Sequence, residues 1–402
     1  MLILVLNCGS SSIKYQVLDM KNENDYNLLA KGLVERIGME EGDITHSVPG
    51  HDKYKIHKKV ADHTEGIKDV LGLLTDGEHG VLKSLDQIEA VGHRVVHGGE
   101  YFTQSCIIDN RVKEGIDKCS SLAPLHNPAG LLGIKAVEAS LPSVPQVAVF
   151  DTSFLQTIPD FAYMYGLPYQ FYEKDRIRRY GFHGTSHRFV SKAGAELAGL
   201  DYNDCKIITC HLGNGSSVTA VKNGRAVDTS LGMTTIDGLI MGTRCGALDP
   251  GVVTYIMKTH NYSVEQMDKI LSKESGFVGV SGVSSDARDL EEAAAKGDKR
   301  AALTLNMFRY GLLKHIGAFA AAMGGVDLIV FTGGIGENDF RTRAFIGEKC
   351  AYLGIDFDFE LNNGLRGKTT LLTKKESKVK VAVVATNEEL VIARDTMKLV
   401  KM

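Results

Sequence analysis

The sequence contains seven cysteines but no C-x-x-C pair. Because the cysteines are scattered and odd in number, neither a zinc site nor a disulfide framework is indicated. Free thiols fit a reducing compartment, so we expect the protein to be cytoplasmic. The start of the chain, MLILVLN, has no basic segment and too short an apolar stretch for a signal peptide.

Long apolar runs and long basic runs are also missing. The longest uncharged apolar stretch, residues 316–326, is far below the ~18 residues that a membrane span needs. The net charge is −3, and Lys and Arg do not form long runs. These features argue against a membrane or a nucleic acid as partner. Recognition of an anion must therefore depend on a few placed cations.

The remaining composition is typical of a soluble globular protein. Hydrophobic residues make up 44% of the 402 residues and charged residues 24%. This length favours two or three domains of ~100–200 residues each.

One local pattern recurs along the chain: a short apolar run, interpreted as a buried strand, ends in a Gly-rich or polar turn. The runs are residues 2–6, 147–150, 207–210, 328–331 and 379–384. Ligands of open α/β sheets gather beyond the carboxyl ends of the strands. The five turns therefore predict one shared cleft, although any one of them alone is equally explained as a plain loop.

A faint internal repeat indicates two related halves. Residues 7–12 (NCGSSS) resemble residues 211–217 (HLGNGSS), and an alternating strand follows each. Both patterns predict β-hairpins whose small tips can grip a phosphate chain. The repeat places the domain boundary near Asp151. Helical periodicity covers residues 263–272 and 290–323, with a break near Gly297.

The last helix is predicted to start near Thr386 and to run to about Val400. Glu389 lies three residues after Thr386, which is the spacing of a capping box.

Lys14 follows the first turn and supplies a point charge for phosphate oxygens. The turn is not a Walker A motif, and Gly333–Gly336 is not a Rossmann fingerprint. On these residues alone, a plain hairpin with an exposed lysine stays open.

Arg94 and Val96 would share one face if their strand continues past residue 94. A cation beside a small apolar side chain suits a short carboxylic acid. The alternative is an edge strand whose arginine is solvated.

Residues 180–187 (YGFHGTSH) are dense in His and Gly. His183 can donate to a phosphoryl oxygen, although a purely structural histidine is the alternative. His183 and His187 have i,i+4 spacing, but without H-E-x-x-H this spacing does not predict a metal site.

Charged residues in the later turns extend the pattern. Arg244 lies among small residues, and Asp286 and Arg288 pair within a turn, although either is also explained as an ordinary salt-bridged loop. Asp151 and Glu388 stand at strand ends, where they can serve as a general base or as Mg²⁺ ligands. The residues thus indicate a split α/β ATPase-type cleft without naming a substrate.

Taken together, the motifs resemble those of acetate kinases in order and spacing over the whole chain. They are residues 7–14, the Arg94 loop, and residues 181–187, 211–215, 242–246 and 333–338. The resemblance implies an α/β, two-domain actin-like ATPase fold with a duplicated βββαβαβα core and an ATP cleft between the domains. It also implies a homodimer, an N-terminal domain of residues 1–151 plus 389–402, and a C-terminal domain of residues 152–388.

The resemblance also implies roles for single residues. Asn7 and Glu388 resemble magnesium ligands, with Mn²⁺ as a possible substitute. The residues that resemble ATP contacts are Lys14, Ser10, Ser12, His211, Leu212, Gly213, Asn214, Gly215, Asp286, Ala287, Arg288, Gly334, Ile335, Gly336, Glu337 and Asn338.

Arg94 resembles the ligand of the substrate carboxylate, and Asp151 resembles the catalytic acid. His183 and Arg244 resemble transition-state stabilisers. The positions that line the methyl pocket of the family are Val96, Leu125, Phe182 and Thr235. Thr235 departs from the family, which usually has Pro there.

The expected reaction is ATP + acetate ⇌ ADP + acetyl phosphate, by direct in-line transfer. Acetate is already a nucleophile at pH 7, so Asp151 is better interpreted as an orienting group than as an obligatory base. A propionate or butyrate kinase is one alternative, and a non-catalytic ATP-switch protein is another. Nucleotide preference and net direction stay open.

Overall fold

The computed structural model describes residues 1–124 and 126–402, which divide into two compact units. Unit 1 comprises Met1–Phe154 and Asn387–Met402, and unit 2 comprises Leu155–Thr386. The end of the chain therefore belongs to the same unit as its beginning. In the described part of the chain, no helix combines the length and the apolar character that crossing a membrane would require.

Unit 1 is built on an eight-stranded sheet. Its strands are β1 (Leu2–Gly9), β2 (Ser12–Met20), β3 (Tyr26–Glu35), β4 (Gly42–Ser47), β5 (Tyr54–Lys58), β6 (Ala90–Val95), β7 (Cys106–Ile107) and β8 (Gln146–Phe150). The order across the sheet is β5-β4-β3-β2-β1-β6-β8-β7. The central strands β1, β6 and β8 are parallel, and the outer pairs are antiparallel. The apolar run in β1 and the run in β8 are buried, as expected for a sheet covered on both faces.

Three helices of unit 1 precede the unit boundary: α1 (His63–Leu74), α2 (Asn110–Lys118) and α3 (Asn127–Ser140). The carboxylate of Asp62 caps α1 by accepting from the backbone N–H of Glu65 at 2.9 Å. Helix α3 packs on β1 and β6, where Leu4, Val91 and Val137 belong to one hydrophobic core.

Unit 2 is built on a six-stranded sheet. Its strands are β9 (Lys206–Leu212), β10 (Ser216–Lys222), β11 (Arg225–Thr229), β12 (Leu328–Thr332), β13 (Thr370–Leu371) and β14 (Lys380–Val383). The order is β11-β10-β9-β12-β14-β13, and β9, β12 and β14 are parallel. Both hairpins that the repeat predicts are present, because β1 pairs with β2 and β9 pairs with β10 in antiparallel register.

The helices of unit 2 surround this sheet. They are α4 (Asp160–Tyr163), α5 (Gln170–Asp175), α6 (Gly184–Ala198), α7 (Pro250–His260), α8 (Val264–Lys273), α9 (Gly276–Ser281), α10 (Ala287–Ala295), α11 (Lys299–Met323), α12 (Gly333–Asn338), α13 (Phe340–Lys349) and α14 (Phe359–Asn362). The predicted break near Gly297 is confirmed: α10 ends before this residue, which has a positive φ, and α11 begins after it.

The final helix, α15 (Glu388–Val400), returns to unit 1. Its cap is Asn387, whose side-chain oxygen accepts from the N–H of Leu390 at 3.1 Å. The predicted capping box at Thr386 is therefore wrong. The Thr386 hydroxyl instead lies 2.9 Å from that of Ser186.

Both units contain the same core order. Three antiparallel strands are followed by helix, strand, helix and strand: β1-β2-β3, α1, β6, α3 and β8 in unit 1, and β9-β10-β11, α11, β12, α13 and β14 in unit 2. Helix α15 completes unit 1 by packing on β1 and β6, and α6 packs on the corresponding strands β9 and β12. This duplicated core confirms the predicted actin-like ATPase fold.

Candidate active site

Functional side chains of unit 1 lie at the carboxyl ends of its parallel strands. Asn7 is near the end of β1, Arg94 is near the end of β6, and Asp151 directly follows β8. The parallel register places Arg94 opposite Val149 of β8. Adjacent parallel strands thus deliver a cation and two oxygen-bearing side chains to one edge of the sheet.

Arg94 and Asp151 form a buried, multiply bonded ion pair. Nη2 of Arg94 donates to Oδ2 of Asp151 at 2.6 Å, and Nε donates to both carboxylate oxygens at 3.2 Å. Nη1 of Arg94 donates to Oδ1 of Asn7 at 3.3 Å, and Nε is 3.9 Å from Oε2 of Glu388. The side chain of Asp151 is 1% exposed and that of Arg94 is 21% exposed. The guanidinium is therefore held in a fixed orientation.

The electrostatics of this cluster are those of crowded acids around one cation. Burial alone opposes the charge of Arg94, but Asp151 and Glu388 outweigh it and raise the pKa of Arg94 above its ordinary value. Burial raises the pKa of Glu388 to about 7, with Asp151 and Glu389 adding to the rise and Arg94 opposing it. A further cation would therefore relieve repulsion among these carboxylates.

The donor set fits Mg²⁺ better than a transition metal. Asn7 and Glu388 offer hard oxygen donors, and Mg²⁺ in phosphoryl-transfer sites takes one or two carboxylates and keeps several waters. Within residues 1–124 and 126–402, no group of three or more His, Cys, Asp or Glu side chains is arranged to hold a metal. The oxygen donors of Asn7 and Glu388 thus suit an ion that keeps several waters.

Lys14 has a partner that the sequence did not reveal. Its ammonium forms an ion pair with Glu389, while its side chain is 52% exposed. Ser10 and Ser12 lie at the tight β1–β2 turn, where Gly9 pairs with Ser12. The two adjacent acids at the start of α15, Glu388 and Glu389, are the signal in the sequence for such a pair.

The expected methyl-pocket residues have different surroundings. Strand β6 ends at Val95, so the strand register does not place Val96 on the face of Arg94, although Val96 is buried. Phe182 is buried and Thr235 is half-buried in unit 2. Leu125 lies outside the described residues.

In unit 2, His183 stands directly before helix α6 with a left-handed backbone, φ 60° and ψ 23°. A non-glycine residue rarely adopts this conformation, and such strain is typical of functional sites. The ring of His183 stacks on that of His211, with centroids 4.3 Å apart. A Cβ added to Gly215 would lie 3.5 Å from Nε2 of His183 and 3.5 Å from Nη1 of Arg244. His183 and Arg244 thus face the same small space.

The backbone orients Arg244. Its Nη1 donates to the carbonyl oxygen of Thr235 at 3.1 Å, and burial lowers its pKa. Because the contact uses a backbone oxygen, it does not depend on the side chain at position 235. A Cβ on Gly242 would lie 2.0 Å from Oδ1 of Asn214, so this loop packs closely on the β9–β10 turn.

A cavity of about 870 Å³ opens in unit 2 beside the same turn. The predicted ATP contacts among its lining residues are Gly213, Asn214, Asp286, Ala287, Arg288, Gly334, Ile335 and Asn338. Asp286 caps α10 and pairs with Arg288, whose Nη2 donates to Oδ2 of Asp286 at 2.6 Å.

Other predicted ATP contacts do not line this cavity. Leu212 is fully buried, Gly336 is also buried, and Oε1 of Glu337 accepts from the backbone N–H groups of Gly333 and Thr386. His211 lies against His183, and its Nδ1 is 2.8 Å from the hydroxyl of Ser186.

Several lining residues were not predicted from the sequence: Ser285, Glu291, Glu292, Ala295, Asp339, Phe340, Arg341 and Arg366. Arg366 lies outside every recognised motif. It is held near the cavity because the N–H of Gly367 donates to the carbonyl oxygen of Glu337 at 3.1 Å.

Comparisons with known proteins point to one family. The model of the acetokinase family matches residues 2–394. The acetate kinase of Caldanaerobacter subterraneus subsp. tengcongensis is 55% identical over 402 residues, which cover 100% of this chain and 99% of that protein. The crystal structure of Porphyromonas gingivalis acetate kinase superposes with a TM-score of 0.95 at 48% identity, covering 99% of both chains. That of a propionate kinase from Francisella tularensis subsp. tularensis superposes with a TM-score of 0.89 at 39% identity, again over 99% of both chains. The chain therefore belongs to the acetokinase family.

Proposed function

We propose that the chain catalyses the reversible transfer of the γ-phosphoryl group from ATP to acetate, giving acetyl phosphate and ADP. A carboxylate oxygen of acetate attacks the γ-phosphorus, and the bond from this phosphorus to the β–γ bridging oxygen breaks. The full-length relationship to an acetate kinase at 55% identity carries this proposal. Arg94 near the end of β6, His183 at the start of α6 and Arg244 in the loop that packs on the β9–β10 turn support it.

Arg94 binds the carboxylate of acetate in this mechanism. A guanidinium is a planar fork that matches a carboxylate, and the bonds from Arg94 to Asp151 fix the plane of the fork. Asp151 acts as an orienting group, because acetate at neutral pH needs no base to become a nucleophile.

His183 and Arg244 stabilise the transferring phosphoryl group. Its negative charge is spread over three oxygens, and phosphoryl transfer depends mainly on positioning and charge neutralisation. The missing side chain at Gly215 leaves room for this group in front of both donors. Asn7 and Glu388 would hold Mg²⁺, which supplies positive charge to the phosphate oxygens when it is bound. Mn²⁺ is a hard cation of the same charge and is expected to replace it.

The nucleotide occupies the 870 Å³ cavity of unit 2. Gly213, Asn214 and Gly334 present small or polar groups that suit a close approach of phosphates. Asp286, Ala287 and Arg288 form another part of the lining. Lys14, Ser10 and Ser12 complete the phosphate contacts. The ion pair of Lys14 with Glu389 must then be exchanged for a pair with phosphate.

A hydroxamate assay tests the proposal. Acyl phosphates react with hydroxylamine to give coloured hydroxamates, so the purified chain is incubated with ATP, Mg²⁺ and acetate, propionate or butyrate. We expect the highest kcat/KM with acetate, and no signal without Mg²⁺. The absence of product with all three acids would overturn the proposal.

A propionate kinase is the second candidate, and the Francisella tularensis structure favours it as an alternative. One methylene separates the two acids, which limits discrimination to ~1–3 kcal/mol, or about 10–200-fold. The same assay decides between them, since a higher kcat/KM with propionate would replace the acetate assignment.

We also propose a cytoplasmic homodimer. Large apolar side chains of unit 2 are exposed, including Phe161 at 85%, Tyr255 at 69% and Val264 at 68%, and burial against a second copy would remove such side chains from water. The seven cysteines are free thiols, which fits a reducing compartment. Analytical ultracentrifugation tests the dimer, because a single species of 43.7 kDa at micromolar concentration would exclude it.

A further inference from the structure

A series of buried, hydrogen-bonded side chains begins at the ring of His183. Nδ1 of His183 lies 2.8 Å from Oγ of Ser217. The same Oγ lies 2.7 Å from Nε2 of His187, whose Nδ1 lies 2.7 Å from Oγ1 of Thr209. Thr209 also lies 3.4 Å from the carbonyl oxygen of Thr219. None of the roles assigned above uses Ser217, His187 or Thr209.

These groups are shielded from water. Ser217, His187 and Thr209 are 0% exposed, so their hydrogen bonds must be made within the protein. Strands β9 and β10 hold the two hydroxyls, and the first turn of α6 holds His187. Burial lowers the pKa of His187 well below its ordinary value, with His211 adding to the effect, so its ring is neutral and carries one N–H.

The number of available hydrogens allows two directions of hydrogen-bond donation along this series. Each hydroxyl has one hydrogen to donate, and the neutral imidazole of His187 has one. Among the described residues, the buried hydroxyl of Ser217 contacts the rings of His183 and His187, so its hydrogen must be donated to one of these two rings. Either choice makes all three short contacts run in the same direction. In the first direction, Thr209 donates to His187, His187 donates to Ser217, and Ser217 donates to Nδ1 of His183. In the second direction, His183 donates from Nδ1 and every later bond is reversed.

The distances favour the first direction. In that direction the hydrogens of Thr209, His187 and Ser217 all lie in contacts of 2.7 or 2.8 Å. In the second direction the hydroxyl hydrogen of Thr209 is left with the carbonyl oxygen of Thr219 at 3.4 Å, which is long for an O–H donor. A hydrogen bond accepted at Nδ1 leaves the ring proton of His183 on Nε2.

We propose that Ser217, oriented by His187 and Thr209, is a positioning residue that fixes the ring of His183 as the Nε2–H tautomer. Nε2 faces the space beside Gly215 that Arg244 also faces. His183 then donates to a phosphoryl oxygen without gaining a proton. The groups near the ring include His187, His211 and Arg244. The catalytic consequence rests on the proposed function, but the tautomer does not.

Activity measurements on hydroxyl variants form the first test. Ser217→Ala should lower kcat by about 10- to 100-fold with little change in KM, by analogy with the loss of a hydrogen-bonded partner of a metal-bound histidine. Ser217→Thr keeps the hydroxyl and should recover most of the activity. Thr219→Val is the matched control, because it removes a buried hydroxyl two positions further along β10 that contacts Thr229 and no histidine. Equal losses in Ser217→Ala and Thr219→Val would overturn the proposal.

A double-mutant cycle separates positioning from general packing. If Ser217 acts only through His183, Ser217→Ala should cost nothing further in a His183→Ala background. If Ser217 merely supports the fold, the two losses should multiply, and this outcome would overturn the proposed role.

The tautomer itself can be read without any turnover. The ¹⁵N chemical shifts of His183, assigned by comparison with His183→Ala, should show the proton on Nε2 in the full-length protein at pH 8. Thr209→Val keeps the shape of the side chain at position 209 but removes the first hydrogen-bond donor. The Nδ1–H tautomer of His183 should then become populated. A proton on Nδ1 of His183 in the unmodified protein would overturn the inference. An inactive protein with Nε2–H would instead overturn the proposed function alone.

Discussion

Removing the guanidinium of Arg94 should damage both catalysis and stability, and the structure separates the two effects. Arg94 makes three bonds to Asp151 and one to Asn7. Asp151 has a side chain that is only 1% exposed. In Arg94→Ala, this carboxylate loses the ion pair with Arg94 in a place that water hardly reaches.

The expected losses follow from this geometry. Breaking a buried ion pair by removing one partner costs about 3–5 kcal/mol. For a unit of this size, that corresponds to a fall of roughly 6–20 °C in the melting temperature. Loss of a preorganised charge donor costs a further ~2.7–4 kcal/mol of activation free energy, or about 10²–10³ in kcat.

A second substitution isolates the stability term. Arg94→Ala/Asp151→Asn also removes the charge of the carboxylate that has lost its ion pair with Arg94. Compared with Arg94→Ala, the double variant should regain about 2 kcal/mol or more of stability, while its activity stays low. Arg94→Lys retains a charge but not the planar fork, so it should be more stable than Arg94→Ala and still be impaired with acetate.

The measurements are melting curves by circular dichroism, since the chain has no tryptophan, and hydroxamate formation for kcat and KM. If Arg94→Ala keeps activity within tenfold of the unmodified protein and melts normally, the assigned role is wrong. If the double variant is no more stable than Arg94→Ala, the loss of stability does not come from the buried charge of Asp151.

Three further predictions concern other parts of the protein. Arg244→Ala should lower kcat by about 10²–10³ while the melting temperature changes little, because its visible protein contacts are one carbonyl and one thioether; a normal kcat would remove it from the site. Val96→Ala should raise kcat/KM for propionate relative to acetate, within the roughly 10–200-fold that one methylene group can contribute. An unchanged ratio would exclude Val96 from the pocket. Burial lowers the pKa of His93 to about 4. Its unfolded form, with a pKa of 6.5, therefore binds a proton that the folded form does not, so stability is complete above pH 6.5 and is lost as the pH falls, by about 1.4 kcal/mol at pH 5.5. His93→Asn should lack this part of the acid dependence of the melting temperature, and an identical dependence would refute it.

Much of the fold followed from local pattern. The apolar runs before residues 7–12 and 211–217 each lead through small residues into an alternating strand, and both form hairpins. The break at Gly297 was readable because glycine ends one helical pattern and Asp298 starts the next by capping α11. Such signals lie within a few residues of the feature that they predict.

The failures involve choices between neighbours that have similar propensities. Thr386 and Asn387 can both cap a helix, and the contact of Thr386 with Ser186, 200 residues earlier, helps explain why Asn387 became the cap. Strand β6 ends one residue before Val96, so the two-residue periodicity used for Val96 does not reach it.

The sequence by itself determined the family, the duplicated core and the residue types of the site, because these depend on motifs and short-range periodicity. Only the tertiary structure decided which side chains interact. Arg94 forms an ion pair with Asp151, Lys14 forms one with Glu389, and Ser217 forms hydrogen bonds with His183 and His187. The physical reason is that sheet register and helix placement bring these side chains together across long stretches of chain, 57 residues for Arg94 and Asp151 and 34 for His183 and Ser217. Hydrogen-bond direction depends on differences of a few tenths of an ångström, which no residue pattern encodes.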